Sequence, residues 1–332
     1  MTLALEGILR ERLGRLVGAQ LGACEAAIGQ ELQSSAVPLV RALAEHVAFA
    51  GGKRLRPILV LLGATLGTGG AHRAVRLGCI VELLHTATLI HDDVVDQAPL
   101  RRGRPSAHAR WGVDASVLVG DHLYSRCMAL LVRDGDLGVM DALATAMVSM
   151  TEAEVFQLER KRAGELSEAD YLRIIRQKTA TFMSACCRIG GLAGGLAPEA
   201  VEALATYGER IGIAFQIIDD SLDFAADPTR LGKAIGHDLL EGKRTLPLIV
   251  TLDRATGEER GRILEALGRP GLLENDVAEV HRLVKVYDGV GYSVGRALVY
   301  AETGVAALDR VPESEAREIL TLIAEYVIHR DR

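Results

Sequence analysis

"AHRAVRLGCIVELLHTATLIHDDVVD", residues 71–96, is apolar around most of its circumference from Cys79 to Ile90 and then turns acidic. A surface helix carries one apolar stripe, so a segment apolar on nearly every side predicts a helix buried within a larger helical assembly. In its last turn Asp92 and Asp96 stand four apart and share one face, with Asp93 turned aside by about 100°. His85, Thr88 or Leu89, Asp92 and Asp96 form one continuous stripe. Pro99 places the helix end just after Asp96, where the helix dipole is negative and Lys or Arg would be the stabilising choice. Carboxylates there cost stability unless a cation compensates.

The construction returns in "QIIDDSLDFAADP", residues 216–228, where Gln216, Asp219 or Asp220, and Asp223 share a face before Pro228. One acidic turn is most simply a solvated helix end. Two of them, each closing a largely apolar helix, point to a shared task. Carboxylate oxygens are hard ligands, and Mg²⁺ takes one or two of them and completes its shell with water and substrate phosphate. Two such clusters would hold several Mg²⁺ ions and, through them, a diphosphate.

Basic groups alternate with the acidic ones. "GGKRLRP" at 51–57 offers Lys53, Arg54 and Arg56 beside glycines that permit close backbone approach; Arg101, Arg102 and Arg104 follow the first cluster. "QKTAT" at 177–181 supplies Lys178, Thr179 and Thr181, and "GKAIGHDLLEGKRTLPL" at 232–248 supplies Lys233, Lys243 and Arg244. No G-x-x-x-x-G-K-[ST] and no G-x-G-x-x-G after a strand is present, so a nucleotide-cradling loop is not indicated.

The other chain-wide signals are consistent with a helical enzyme core. Apolar residues recur at helical spacing in almost every segment, strand signals are scarce, and Gly or Pro punctuates at Gly69-Gly70, Pro99, Gly194-Gly195, Pro228 and Gly268 to Gly271. The expected fold class is all-α, a multi-helix bundle with two Asp-rich ends at the mouth of a central apolar cavity. No low-complexity linker divides residues 1–332, so a single domain is expected. The net charge of −6, spread without long runs, gives neither a nucleic-acid footprint nor a polybasic membrane patch. Five cysteines with no C-x-x-C pair fit a reducing compartment, and no window reaches the roughly 18 apolar residues of a spanning helix. A cytoplasmic location is expected.

Taken together, "GGKRLRP", "LLHTATLIHDDVVD", "LRRGRPSAH", "VGDHLYS", "RQKTATF", "FQIIDDSLDF", "GKAIGHDLLEGKRTLP" and the C-terminal "YVIHRDR" resemble the trans-isoprenyl diphosphate synthase (polyprenyl synthetase) family. Within it the chain is similar to the long-chain octaprenyl and solanesyl diphosphate synthases, over almost its entire length. The resemblance implies Mg²⁺-dependent condensation of isopentenyl diphosphate onto an allylic diphosphate primer, farnesyl or similar, for quinone side chains. It implies Asp92, Asp96 and Asp219 as principal ligands of three Mg²⁺ ions, with Asp93, Asp220 and Asp223 secondary and Asp238 in support. Lys53, Arg56, His85 and Arg102 would hold isopentenyl diphosphate; Arg101, Lys178, Thr179, Gln216, Lys233 and Lys243 would address the allylic diphosphate. The released pyrophosphate would remove the final proton, so no side-chain base is required. A homodimer is implied too, and the apolar product makes a peripheral membrane contact plausible.

Product length should follow what plugs the cavity. Ala87, about 7.5 Å of helix rise before Asp92, with Thr88 and Leu84, leaves no aromatic floor near the site, and an octaprenyl-like product is expected. A shorter, geranylgeranyl-type product and a non-catalytic subunit of a heteromeric synthase are the alternatives. A terpene cyclase fits less well, because "DDSLD" lacks the Asn, Ser or Thr with Glu of that class's second metal motif. A metal-dependent phosphohydrolase would need further upstream His ligands.

Overall fold

Segment 71–96 does form a central helix, Ala71–Val95, with Asp96 as its C-cap. A computed structural model describes residues 2–225, 237–269 and 271–330. In chain order the helices are α1 (Thr2–Gln33), α2 (Pro38–Ala48), α3 (Leu55–Thr65), α4 (Ala71–Val95), α5 (Ala107–Trp111), α6 (Val113–Asp134), α7 (Leu137–Ala163) and α8 (Glu168–Ile175). They continue as α9 (Thr181–Gly194), α10 (Pro198–Ala225), α11 (His237–Leu240), α12 (Leu246–Arg254), α13 (Gly257–Ala266), α14 (Glu274–Val286), α15 (Gly289–Ala307) and α16 (Glu315–His329). The architecture is all-α, as the periodicity predicts.

One departure is a two-stranded hairpin of β1 (Leu100–Arg101) and β2 (Arg104–Pro105), paired antiparallel with Leu100 opposite Pro105. Its loop residues Arg102 and Gly103 have φ of 52° and 74°. Positive φ at both positions is what a type I′ hairpin turn needs. Four residues are too short a run to leave an alternating pattern, so the hairpin is not foreseeable from periodicity.

α4 packs against α6, α3 and α1, and α10 against α15 and α9. Two thirds of the apolar window of α4 is buried in the protein, which makes it a core helix despite being long and apolar enough to cross a membrane. Leu77, Val81, Leu84 and Ile90 are fully enclosed. α3 and α9 cross so closely that a Cβ at Gly190 would lie 2.5 Å from the Val60 carbonyl oxygen. Only glycine permits that approach, so Gly190 serves packing where a sequence reading sees only a helix breaker. A smaller apolar core, built on Leu239, Leu248, Ile263 and Leu283, gathers α11 to α14 around Phe224 near the end of α10.

Between α8 and α9 the chain makes one π-helical turn, Arg176–Ala180. Its i to i+5 spacing widens the helix locally, a feature found frequently at functional sites. This turn carries Lys178 and Thr179 and packs against both α7 and α10.

Candidate active site

The stripe read from the sequence is the open face of α4: His85, Thr88, Leu89 and Asp92 are partly accessible, while Leu84 and Ala87 are 0% and 3% exposed. Of the residues expected to set product length, Thr88 alone has open surface, and its hydroxyl donates to the His85 carbonyl. Leu84 and Ala87 are packed into the core and do not line open space.

Burial pushes the Asp92 pKa up to about 6, with Glu154 and Asp96 adding to it and Lys178 opposing. Asp93 points elsewhere: it is fully buried and pairs with Arg101 Nε at 2.5 Å. Arg101 is thereby committed to anchoring the hairpin onto α4, with its remaining nitrogens available. Lys178 pairs with Glu154 of α7. Burial alone would lower its pKa, but Asp92, Glu154 and Asp96 outweigh that and raise it. The Lys178 ammonium is therefore charged and held over the first acidic cluster.

The second cluster is reached through the same turn. Thr179 Oγ1 donates to Gln216 Oε1 at 3.1 Å, and Gln216 Nε2 donates to Asp220 Oδ1 at 2.9 Å. Tyr171 donates to Asp220 Oδ2 at 2.6 Å. Asp220, buried by α8 and α10, is pushed up to about 6 by that burial, against the pull of these two donors. Asp223 accepts the Asp238 amide at 3.1 Å, and burial with Asp220 and Asp223 nearby drives Asp238 up to about 8. Asp219 is half exposed and accepts from Arg330 Nη2 at 3.0 Å. Arg330 is itself buried, stacked 3.9 Å over the Phe215 ring.

Lys243 joins the two clusters. It pairs with Glu241 and feels both Asp238 and Asp96, which together outweigh burial and raise its pKa. Lys233 lies outside the described residues.

A third group is cationic. Arg56 is half-buried, and its enclosed Nε has no hydrogen-bond partner among the described residues. Arg102 rests against Gly52, where a Cβ would lie 2.9 Å from its guanidinium. His85 is held well below its usual pKa, first by burial and then by Arg56 and Arg102, so it is neutral. Two basic residues of "GGKRLRP" have partners inside the protein. Lys53 donates to Tyr326 of α16 at 2.7 Å. Arg54 is spent inside the protein on Glu82 at 2.6 Å and on the Ala48 carbonyl, because a buried guanidinium must be paired.

Sequence reasoning singled out neither Glu154 nor Tyr171, which are isolated in the chain and join the site through α7 and α8. Tyr326 and Arg330 stood inside the quoted "YVIHRDR" without a role. Among the described residues no three His, Cys, Asp or Glu side chains form a ready-made metal cage.

The helical bundle and the paired acidic helix ends define the isoprenoid-synthase class of fold. A polyprenyl synthetase family model matches residues 37–285, and the chain belongs to that family. It is 36% identical over 324 residues to octaprenyl diphosphate synthase of Escherichia coli, covering 97% of this chain and 99% of that one. It is 37% identical over 297 residues to a short chain isoprenyl diphosphate synthase of Methanothermobacter thermautotrophicus, covering 88% and 90%. The crystal structure of polyprenyl synthase from Caulobacter crescentus, complexed with calcium and isoprenyl diphosphate, superposes with a TM-score of 0.90 at 38% identity, covering 97% and 98%.

Proposed function

We propose that this prenyltransferase condenses isopentenyl diphosphate head-to-tail onto an allylic diphosphate such as farnesyl diphosphate, giving a long-chain, octaprenyl-like all-trans product for quinone side chains. The carrying observation is the joining of two acidic clusters by Lys243, and by the π-turn that sets Lys178 over the first cluster and Thr179 against the second, at the open end of an apolar helix. The short-chain relative has the same level of identity as the octaprenyl relative, so the long product rests on the non-aromatic face at Thr88.

The residues present fit a divalent cation. Asp92 and Asp238 are raised first by burial and then by the carboxylates around them, and hard oxygen donors gathered in this way favour Mg²⁺. In this reading Asp92, Asp96 and Asp219 are the principal ligands of up to three ions, and Asp223 is secondary. Asp93 and Asp220 are tied to Arg101, and to Tyr171 and Gln216, so they serve as orienting groups. Bound Mg²⁺ would supply electrostatic stabilisation to the departing diphosphate.

The chain's own groups do the rest. Lys178, Thr179, Gln216, Lys243, Arg101 and Lys233 receive the allylic diphosphate; the π-turn fixes the first two against both clusters. Arg56 and Arg102, with neutral His85 as a hydrogen-bond partner, hold isopentenyl diphosphate through guanidinium donors suited to its oxygens. Lys53 is released to join them when Tyr326 yields its place. The packed walls of α3, α4 and α9 exclude water from the reacting carbons.

The test is direct: purified protein with Mg²⁺, isopentenyl diphosphate and farnesyl or geranylgeranyl diphosphate is expected to yield octaprenyl-length products by mass spectrometry. No elongation from either primer would move the assignment to a non-catalytic subunit.

We infer a cytoplasmic homodimer working as a single-domain unit, since Asp238 and Lys243, beside the smaller core, complete the site at the end of α10. α6 exposes Val113, Val117 and Leu118, and α7 exposes Val148, Val155 and Leu158, apolar side chains that a second copy would cover. Sedimentation should show a dimer, and Val117→Glu with Val155→Glu should yield monomer; a monomeric parent protein removes this part of the reading.

A further inference from the structure

On the side of the π-turn away from Asp92 and Asp220 lies a cavity of about 520 Å³ walled by α7, α8, α9, α10 and α15. Its volume is within the range of small-molecule sites. Three guanidinium groups, from Arg173, Arg176 and Arg210, line it with Gln177 and Thr181. Leu172, Ile213 and Tyr300 add an apolar flank.

Its charge is not internally balanced. Arg176 pairs with Glu209. Arg173, on the exposed rim, stacks 4.1 Å over Phe156 and among the described residues donates to the neutral Gln177. Arg210 has no carboxylate partner among the described residues; its guanidinium stands 5.8 Å from the Tyr300 ring, and its buried Nε has no hydrogen-bond partner. Arginines normally find an anion when their donors are buried, because a desolvated N–H left unpaired costs free energy. Arg210 and the exposed Arg173, neither paired with a carboxylate among the described residues, stand beside the Gln177 amide and match the multiple acceptor oxygens of a diphosphate.

The cavity also shares a wall with the catalytic apparatus. Arg176 and Gln177 immediately precede Lys178, and Thr181 Oγ1 donates to the Arg176 carbonyl at 2.9 Å across the widened turn. A π-turn is a local irregularity in the helical ladder. An anion gripping its outer side biases the placement of Lys178 and Thr179 on its inner side.

We propose that this cavity is a second diphosphate-binding site, behind the π-turn, through which a diphosphate lowers turnover. The effect on turnover rests on the proposed function; the binding does not. Two sources share the chemistry: inorganic diphosphate, and a prenyl diphosphate whose first carbons lie on Leu172 and Ile213.

Calorimetric titration of the full chain with inorganic diphosphate in EDTA tests binding, with Arg210→Met and Arg210→Lys alongside. Binding elsewhere on the chain is common to all three proteins and cancels in the comparison. Arg210→Met is expected to weaken one binding event by at least about 10-fold, and Arg210→Lys to restore part of it. Identical isotherms would overturn the site. In the elongation assay at saturating substrates, added diphosphate should lower kcat of the parent protein more than that of Arg210→Met, with equal basal rates. Inhibition undiminished in Arg210→Met would overturn the coupling. A chain that elongates nothing would instead fail the proposed function, and the calorimetry would still decide the site. A larger loss of farnesyl diphosphate binding than of inorganic diphosphate binding on Arg210→Met identifies the ester as the ligand, and an equal loss identifies the free anion.

Discussion

Asp92→Ala is expected to lower kcat by about 10³-fold or more, the scale on which loss of several kcal/mol of charge stabilisation acts. Asp92 is the carboxylate on the open face of α4 that senses Lys178, Glu154 and Asp96 together. Removing it takes away a cation ligand and the counter-charge that keeps Lys178 in place. The fold should survive, because burial disfavours the charged form of Asp92 and its loss leaves no orphaned partner. Lys178 retains Glu154. Circular dichroism should therefore match the parent spectrum, and the melting temperature should be equal or higher. A rate within tenfold of the parent would remove Asp92 from the metal site, whatever the spectra show. Asp93→Ala makes the contrast: it frees Arg101 from the buried pair, so loss of stability should accompany any loss of rate.

Thr88→Phe should shorten the product, and it is a cleaner probe than Ala87→Phe. Thr88 faces the open stripe one turn before Asp92, so a ring there enters the space a growing chain must pass. Steric crowding of about 1–3 kcal/mol at each addition corresponds to a roughly 5- to 150-fold bias toward release. Over successive additions that bias ends elongation early. Ala87, 3% exposed, is enclosed by packed neighbours, so its replacement by Phe overpacks the core and should lower the melting temperature as well. Chromatography of the products decides. Unchanged products from both variants would place the hydrocarbon path away from this face. Shortening by Ala87→Phe alone would route it behind α4.

Much of the site was legible because helical periodicity places Asp92 under Asp96 and Gln216 near Asp220 without reference to any other element. The cost of ending an apolar helix in carboxylates was legible too, and it pointed to cations. The same logic does not show that Arg54 is spent on Glu82 or that Lys53 rests on Tyr326. A sequence shows that a basic group is present; whether it faces a ligand or a buried Glu82 depends on which helices meet. The hairpin at Arg102 was hidden for a related reason, since its positive φ belongs to a residue type that seldom adopts it.

The primary structure by itself determined the all-α class, the central placement of α4, both acidic helix ends and the diphosphate chemistry they imply. These are properties of residues within a few positions of each other, fixed by the 3.6-residue repeat. Only the tertiary structure decided that Lys178 stands over the first cluster and Lys243 between Asp96 and Asp238, that Tyr171 holds Asp220, and that Arg330 reaches Asp219 across 111 residues of chain. It alone showed that Leu84 is closed and Thr88 open. Such pairings arise from the crossing of helices such as α3 and α9 at a glycine contact, and packing between distant segments leaves no periodic trace in either one.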